Sequence, residues 1–312
     1  MGTVTDMRPD TLYRKQTVEC AKRSNAFVFD YMSDYLTMMD VLARSITHGL
    51  AHACSITPLQ YRLMLRLLTE DAATTHDLAD QLGVRMSTIS VAVSKLVDRD
   101  AIARSEDGSD MRTVHLSLTA NGRKLLDCAD EVAFATMQDY WGSLTREQFD
   151  AASESSILAA ERHSHLRFEN GLLRLDTALV DTVMISRRLT AHALQAYGLS
   201  VNDFRVMLTL RIIGRSDTTA NVAHFLFLNS SDITSCLKNL NARGWLERER
   251  SKENRRIRSL ALTEAGNDEL IRLMPVVFDA LHETCHSDDD LIRTHISAAR
   301  DLVARRRQRS EF

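Results

Sequence analysis

The chain contains one domain-sized pattern twice, and this constrains its fold more than any other feature. Ile89-Ser90-Val91-Ala92-Val93-Ser94-Lys95-Leu96 aligns with Ile233-Thr234-Ser235-Cys236-Leu237-Lys238-Asn239-Leu240 at an offset of 144 positions. Without a gap, the same offset carries Leu78-Ala79 onto Val222-Ala223, and Ile102-Ala103-Arg104 onto Leu246-Glu247-Arg248. It also carries Arg112 onto Arg256, and Leu118-Thr119-Ala120-Asn121-Gly122 onto Leu262-Thr263-Glu264-Ala265-Gly266. Upstream, an offset of 143 aligns Tyr61-Arg62-Leu63-Met64-Leu65 with Phe204-Arg205-Val206-Met207-Leu208. A period this long marks a duplicated domain, not a solenoid of short repeats. The 312 residues divide into an N-terminal extension at 1–29, a first repeat at 30–167 and a second at 168–312.

Each repeat has the same local pattern. A long amphipathic helix, roughly Asp34 to Ala53 or Leu175 to Ala196, comes first. Thr57-Pro58-Leu59-Gln60 is a capping box with proline at the first helical position, and Ser200 with Asp203 opens the equivalent helix. A short third helix runs from Thr74 to Leu82, or Thr218 to Phe225. The fourth helix follows, with Gly83-Val84 supplying the turn in the first repeat. Its apolar stripe is Ile89, Val93, Leu96 and Val97 in one repeat and Ile233, Leu237 and Leu240 in the other. Two short strand-like runs come next, Ile102–Ser105 with Thr113–Leu118, and Leu246–Arg250 with Ile257–Leu262. Thr119 and Thr263 then cap long helices, and final helices near Thr145–His165 and Asp288–Arg306 close each repeat. The expected fold is mainly α with small β-wings: two winged helix-turn-helix units on a shared helical, dimerisation-like platform.

Bulk composition neither supports nor opposes a nucleic-acid partner. With 39 Lys and Arg against 42 Asp and Glu, any basic surface must be local. The five cysteines are scattered and lack a CxxC pair, which predicts reduced thiols in a cytoplasmic protein. Buried structural thiols are the expected reading, with a redox switch through Cys20 or Cys54 as the alternative. No signal segment and no apolar run near the ~20 residues of a membrane span are visible, so no membrane role is expected.

The helix-four and wing segments resemble the MarR family of winged-helix regulators. The residues that carry this are Asp110-Met111-Arg112 with Leu118-Thr119-Ala120-Asn121-Gly122, and Arg256 with Leu262-Thr263-Glu264-Ala265-Gly266. The second repeat departs from the pattern at Asn254, where the family usually has Asp. The resemblance implies a non-enzymatic, sequence-specific regulator of transcription that binds double-stranded DNA, repressing until a small-molecule effector relieves it, with no cofactor. Family members are single-unit chains that dimerise through their terminal helices. Here both units lie in one chain, so a monomeric pseudo-dimer is expected, with a homodimer as the other arrangement.

The polar side of the fourth helix offers Ser87, Thr88, Ser90, Ser94 and Lys95 for phosphates and base edges in a major groove. Its counterpart offers Ser231, Thr234, Ser235, Lys238 and Asn239, with Asn239 able to read adenine where Lys95 favours guanine. On the first wing, Arg104, Asp110 and Arg112 are candidates, the carboxylate orienting Arg112 toward a minor groove. Arg250, Lys252, Arg255 and Arg256 on the second wing make it the more basic of the two. By the resemblance, Arg44, His48, His52 and Tyr61 are expected near an effector crevice in the first repeat.

His282-Glu283-Thr284-Cys285-His286 matches the H-E-x-x-H pattern of zinc helices. A protease is not expected, because Asp289 and Ile292 stand where the longer motif needs glycine and a third histidine. The alternative function is a metal-sensing regulator or a metalloprotein using this segment, with His282 and His286 as the candidate ligands. A third reading makes one head a protein-interaction module without DNA contact.

Overall fold

The computed structural model describes residues 26–70, 73–106, 114–142, 144–166, 174–214, 218–250, 258–284 and 289–310. The first repeat forms α1 (Ala26–Cys54), α2 (Pro58–Thr69), β1 (Ala73–Thr74), α3 (Thr75–Leu82), α4 (Met86–Val97), β2 (Ile102–Glu106), β3 (Val114–Leu118), α5 (Ala120–Trp141) and α6 (Arg146–Ser164). The second forms α7 (Leu175–Gln195), α8 (Val201–Ile213), α9 (Thr219–Phe225), α10 (Ser230–Ala242), β4 (Leu246–Arg250), β5 (Arg258–Leu262), α11 (Glu264–Thr284) and α12 (Asp289–Ser310). The expected order of elements is present in both repeats, with one addition. Ala73–Thr74 is a two-residue strand that pairs antiparallel with β3, so the first wing sheet runs β1-β3-β2.

Local chemistry explains where the helices begin. Thr57 and Gln60 form the reciprocal capping box of α2, and Ser200 and Asp203 form that of α8 at corresponding positions. Thr74 caps α3, and the bonds from its hydroxyl and amide hold the Asp77 carboxyl below the usual range. The Leu-Thr-x-x-Gly segment has a steric reason. A Cβ on Gly122 would run into the Ala101 carbonyl, and one on Gly266 into the Trp245 carbonyl. Those same carbonyls accept from the amides of Thr119 and Thr263, each at 3.1 Å. The motif therefore fastens the helix after the wing to the backbone that enters it. Left-handed backbone recurs at matched positions too: Ser55 and Gly198, Gly83 and Phe227, Asp100 and Gly244. Each pair has glycine in one repeat; its counterpart is the small polar Ser55 or Asp100, or the bulky Phe227, for which the conformation is strained.

The chain divides into two compact units that do not coincide with the sequence repeats. The first winged unit is Met39–Ser186 with Thr284–Ala298. The second is the chain up to Met38, Arg187–Glu283 and the chain from Ala299. Each unit therefore contains helix segments encoded in both repeats.

Within the first unit, Arg62 and Arg66 of α2 both pair with Asp181 of α7. Arg62 also donates to the Ser164 hydroxyl at 2.9 Å. Burial alone would raise the Asp181 carboxyl, but the two guanidinium groups outweigh it and hold the group below its usual range. Arg66 is pushed down to about 10, chiefly by burial. Within the second unit the corresponding arginine is Arg205, fully buried. It donates to the Leu226 carbonyl at 2.7 Å, to Asn202 at 2.8 Å and to the Thr37 hydroxyl of α1 at 3.4 Å. Thr37 lies one residue short of the position that corresponds to Asp181. Arg307 of α12 pairs with Asp34 of α1 in this unit at 3.3 Å.

Candidate nucleic-acid interface

The geometry of α4 follows from its stripe. Ile89, Ala92, Val93 and Leu96 are buried, which turns Ser87, Thr88, Ser90, Ser94 and Lys95 outward, all exposed. The Gly83 left-handed turn closes α3 and aims the chain into α4, the helix-turn-helix geometry. Ser90 spends its hydroxyl on the Met86 carbonyl of its own helix at 2.9 Å. Arg104 on β2 reaches the Ser94 hydroxyl on α4 at 3.4 Å, so a wing strand and the exposed helix share a polar contact. Arg104 is itself exposed. Asp110 and Arg112 lie outside the described residues.

In the second unit α10 buries Ile233, Cys236, Leu237 and Leu240 and exposes Ser231, Thr234, Ser235 and Lys238. Asn229 caps this helix by accepting from the Asp232 amide at 2.8 Å. The adenine-reading role expected of Asn239 does not fit what its side chain does. Its amide nitrogen donates to Asp203 at 2.9 Å and its oxygen accepts from Arg243 at 3.2 Å. The nitrogen holds α10 to the start of α8, the oxygen is taken by the C-cap residue of α10 itself, and Asn239 is only half-exposed. Arg250 is in β4, and its side chain, with Lys252, Arg255 and Arg256, lies outside the described residues. Arg248, two residues earlier, is exposed.

Two residues of the exposed α4 face are not among those expected from the sequence. Val91 is 58% exposed and Met86 43% exposed, among the most exposed large apolar side chains of the described residues. Val91 stands two residues beyond buried Ile89, about 200° around a helix of 3.6 residues per turn, and so opposite the core. An isolated apolar group at that place suits contact with a thymine methyl. The second repeat has Ser230 and Ser235 at the corresponding positions. The signal is present in the sequence: Val91 falls off the Ile89, Val93, Leu96 stripe.

Of the expected effector residues, Arg44, His48 and His52 share an exposed face of α1, whereas Tyr61 is buried among other partners. Arg44 is exposed and paired with Asp40 at 2.9 Å, while His48 and His52 are exposed and stacked on each other at 6.1 Å. Tyr61 is buried, donating its hydroxyl to Asp130 at 2.6 Å with Thr177 at 3.2 Å. His282 is half-buried with its ring on Phe278 at 6.0 Å, and His286 lies outside the described residues. Among the described residues no group of three or more His, Cys, Asp or Glu side chains could hold a metal ion. No helix among them is long and apolar enough to cross a membrane.

Comparison with known proteins finds a regulator family in each repeat. Residues 56–114 match the MarR family, and residues 188–273 match transcriptional regulator SarA/Rot. Both are families of DNA-binding regulators, not enzymes. Among solved structures, the YusO protein of Bacillus subtilis is 18% identical, covering 50% of this chain and 99% of its own, with a TM-score of 0.34. Wild-type MarR from E. coli is 20% identical over 39% of this chain and 90% of its own, with a TM-score of 0.35. The transcriptional regulator BldR from Sulfolobus solfataricus is 20% identical over 49% of this chain and 99% of its own, also at 0.35. No curated protein matches the chain.

Proposed function

We propose that this chain, a DNA-binding transcriptional regulator carrying two MarR-like winged-helix units, engages one operator as a single polypeptide with two unequal reading heads. The composition of the compact units carries this reading. Each winged unit is completed by helix segments from the other repeat: part of α7 in the first, part of α1 in the second. Arg62 bonds Asp181 and Arg205 bonds Thr37 at nearly matching positions. In each unit an arginine of one repeat thus holds a helix segment encoded in the other.

The heads differ in what they offer a groove. α4 presents Ser87, Thr88, Val91, Ser94 and Lys95, and α10 presents Ser231, Thr234, Ser235 and Lys238. The wing residues Arg104, Asp110, Arg112, Arg250, Lys252, Arg255 and Arg256 supply the phosphate and minor-groove contacts. Repression is the proposed action, because occupying an operator excludes other proteins from it and needs no further surface. The boundaries proposed at 30–167 and 168–312 are limits of sequence similarity, and each compact unit takes helix segments from both sides of them.

Selection of bound sites from random duplex DNA, followed by footprinting, tests this reading. Two related but non-identical half-sites about one helical turn apart are expected. A single half-site, or a perfect palindrome, would contradict it.

A further inference from the structure

The thiols of Cys54 and Cys128 lie 3.1 Å apart, although 74 residues separate them in sequence. Cys54, at the last turn of α1, is buried, and Cys128 of α5 is exposed. A disulfide needs a sulfur separation of about 2.05 Å, so an approach of only about 1 Å closes the bond. The second repeat shows that this place need not hold thiols. At the corresponding positions Arg272 lies over the Tyr197 ring, 4.9 Å from its centroid. At matched positions the clasp onto the post-wing helix is a cation–π pair in one unit, from the turn just after α7, and two thiols in the other, from the last turn of α1. We infer that Cys54 and Cys128 are an oxidisable dithiol, a modification site for hydroperoxides that only the first unit possesses.

The two thiols divide the chemistry. Cys128 is open to solvent, so its sulfur attacks the peroxide O–O bond, giving a sulfenic acid and releasing an alcohol, or water from hydrogen peroxide. Cys54, whose acidity burial and the neighbouring thiol suppress to about 12, stays protonated until then. Its sulfur displaces hydroxide from the Cys128 sulfenic acid, and its proton leaves with that hydroxide as water. The product is one disulfide, and a dithiol reductant reverses it. In a reducing compartment a bond of this kind is transient and signals oxidation. Arg99, in the turn after α4, donates to the carbonyls of Cys54 and Ser55, each at 2.9 Å. Closing the disulfide therefore pulls on the residue that anchors the end of the exposed helix.

The site itself is tested without DNA, independently of the operator reading. The full chain is treated with hydrogen peroxide, digested without reduction, and its peptides weighed. A Cys54 peptide joined to a Cys128 peptide, two hydrogens lighter than their sum and separated by dithiothreitol, is expected. In Cys54→Ser, Cys128 should stop at a sulfenic acid trapped by dimedone, and in Cys128→Ser, Cys54 should remain a thiol. Both thiols surviving in the wild type, or Cys54 joined to another cysteine, would overturn the inference. A persistent wild-type Cys128 sulfenic acid would do so as well. Duplex affinity should change about fivefold or more on oxidation of the wild type and stay constant in Cys128→Ser. Unchanged affinity with the disulfide formed would overturn the coupling through Arg99.

Discussion

Asp181 is a single buried carboxylate serving two buried guanidinium groups, and its removal is a sharper test of the packing than any apolar truncation. Asp181→Asn leaves Arg62 and Arg66 charged and uncompensated, which costs about 3–5 kcal/mol. Arg66→Met leaves the Arg62–Asp181 pair intact and removes two nitrogens that have no hydrogen-bond partner, so it costs far less. Urea unfolding of the two variants checks this order. The pH dependence has a definite sign. The folded Asp181 carboxyl is depressed, so its contribution is complete above the unfolded value of about 3.9 and disappears as pH falls through the lower folded value. The gap between wild type and Asp181→Asn therefore narrows in acid. At the exposed surface, Val91→Ser should weaken binding to a selected thymine-containing site by about 1 kcal/mol, roughly fivefold. Replacing that thymine with uracil should cost the wild type the same and the variant nothing. If uracil leaves wild-type affinity unchanged, Val91 reads no methyl group.

At the scale of elements, the joint between wing and following helix is the most exacting. Gly122→Ala places a methyl against the Ala101 carbonyl, a main-chain atom that cannot swing aside. A loss of about 1–3 kcal/mol is expected by thermal or urea unfolding, and Gly266→Ala should behave alike in the second unit. The wings themselves are tested by salt. Removing one phosphate contact lowers the slope of log K against log salt by about 0.9. Replacing Arg250, Lys252 and Arg255 with Gln should flatten that slope more than replacing Arg104 and Arg112, and equal slopes would remove any meaning from the charge difference between wings. Most of these elements are legible in the sequence because their determinants are local: Thr57 with Gln60, Thr119 with Gly122, the Ile89 stripe. Determinants at long range are not. β1 exists through its pairing with β3, which lies far along the chain. Asn239 is held by Asp203, and Cys54 meets Cys128, through contacts that no local pattern encodes. Val91 is missed for a different reason: it falls off the Ile89 stripe, but a valine in a helix is ordinarily read as core.

For the whole molecule, the repeat sets the number of winged units, yet its boundaries are not those of the compact units, because α1 and α7 each contribute to both. Sequence similarity follows the order in which the chain was duplicated, whereas compactness follows which segments bury one another's apolar faces. A chain with this exchange has the second head covalently present wherever the first one binds, at high effective concentration and without assembly. Mass measurement of the intact complex with a selected duplex tests that most directly. One chain per duplex, unchanged as protein concentration rises through the binding transition, is the expected result. Two chains on one duplex, with binding that steepens with protein concentration, would contradict it and make the fused repeat a device for dimerisation.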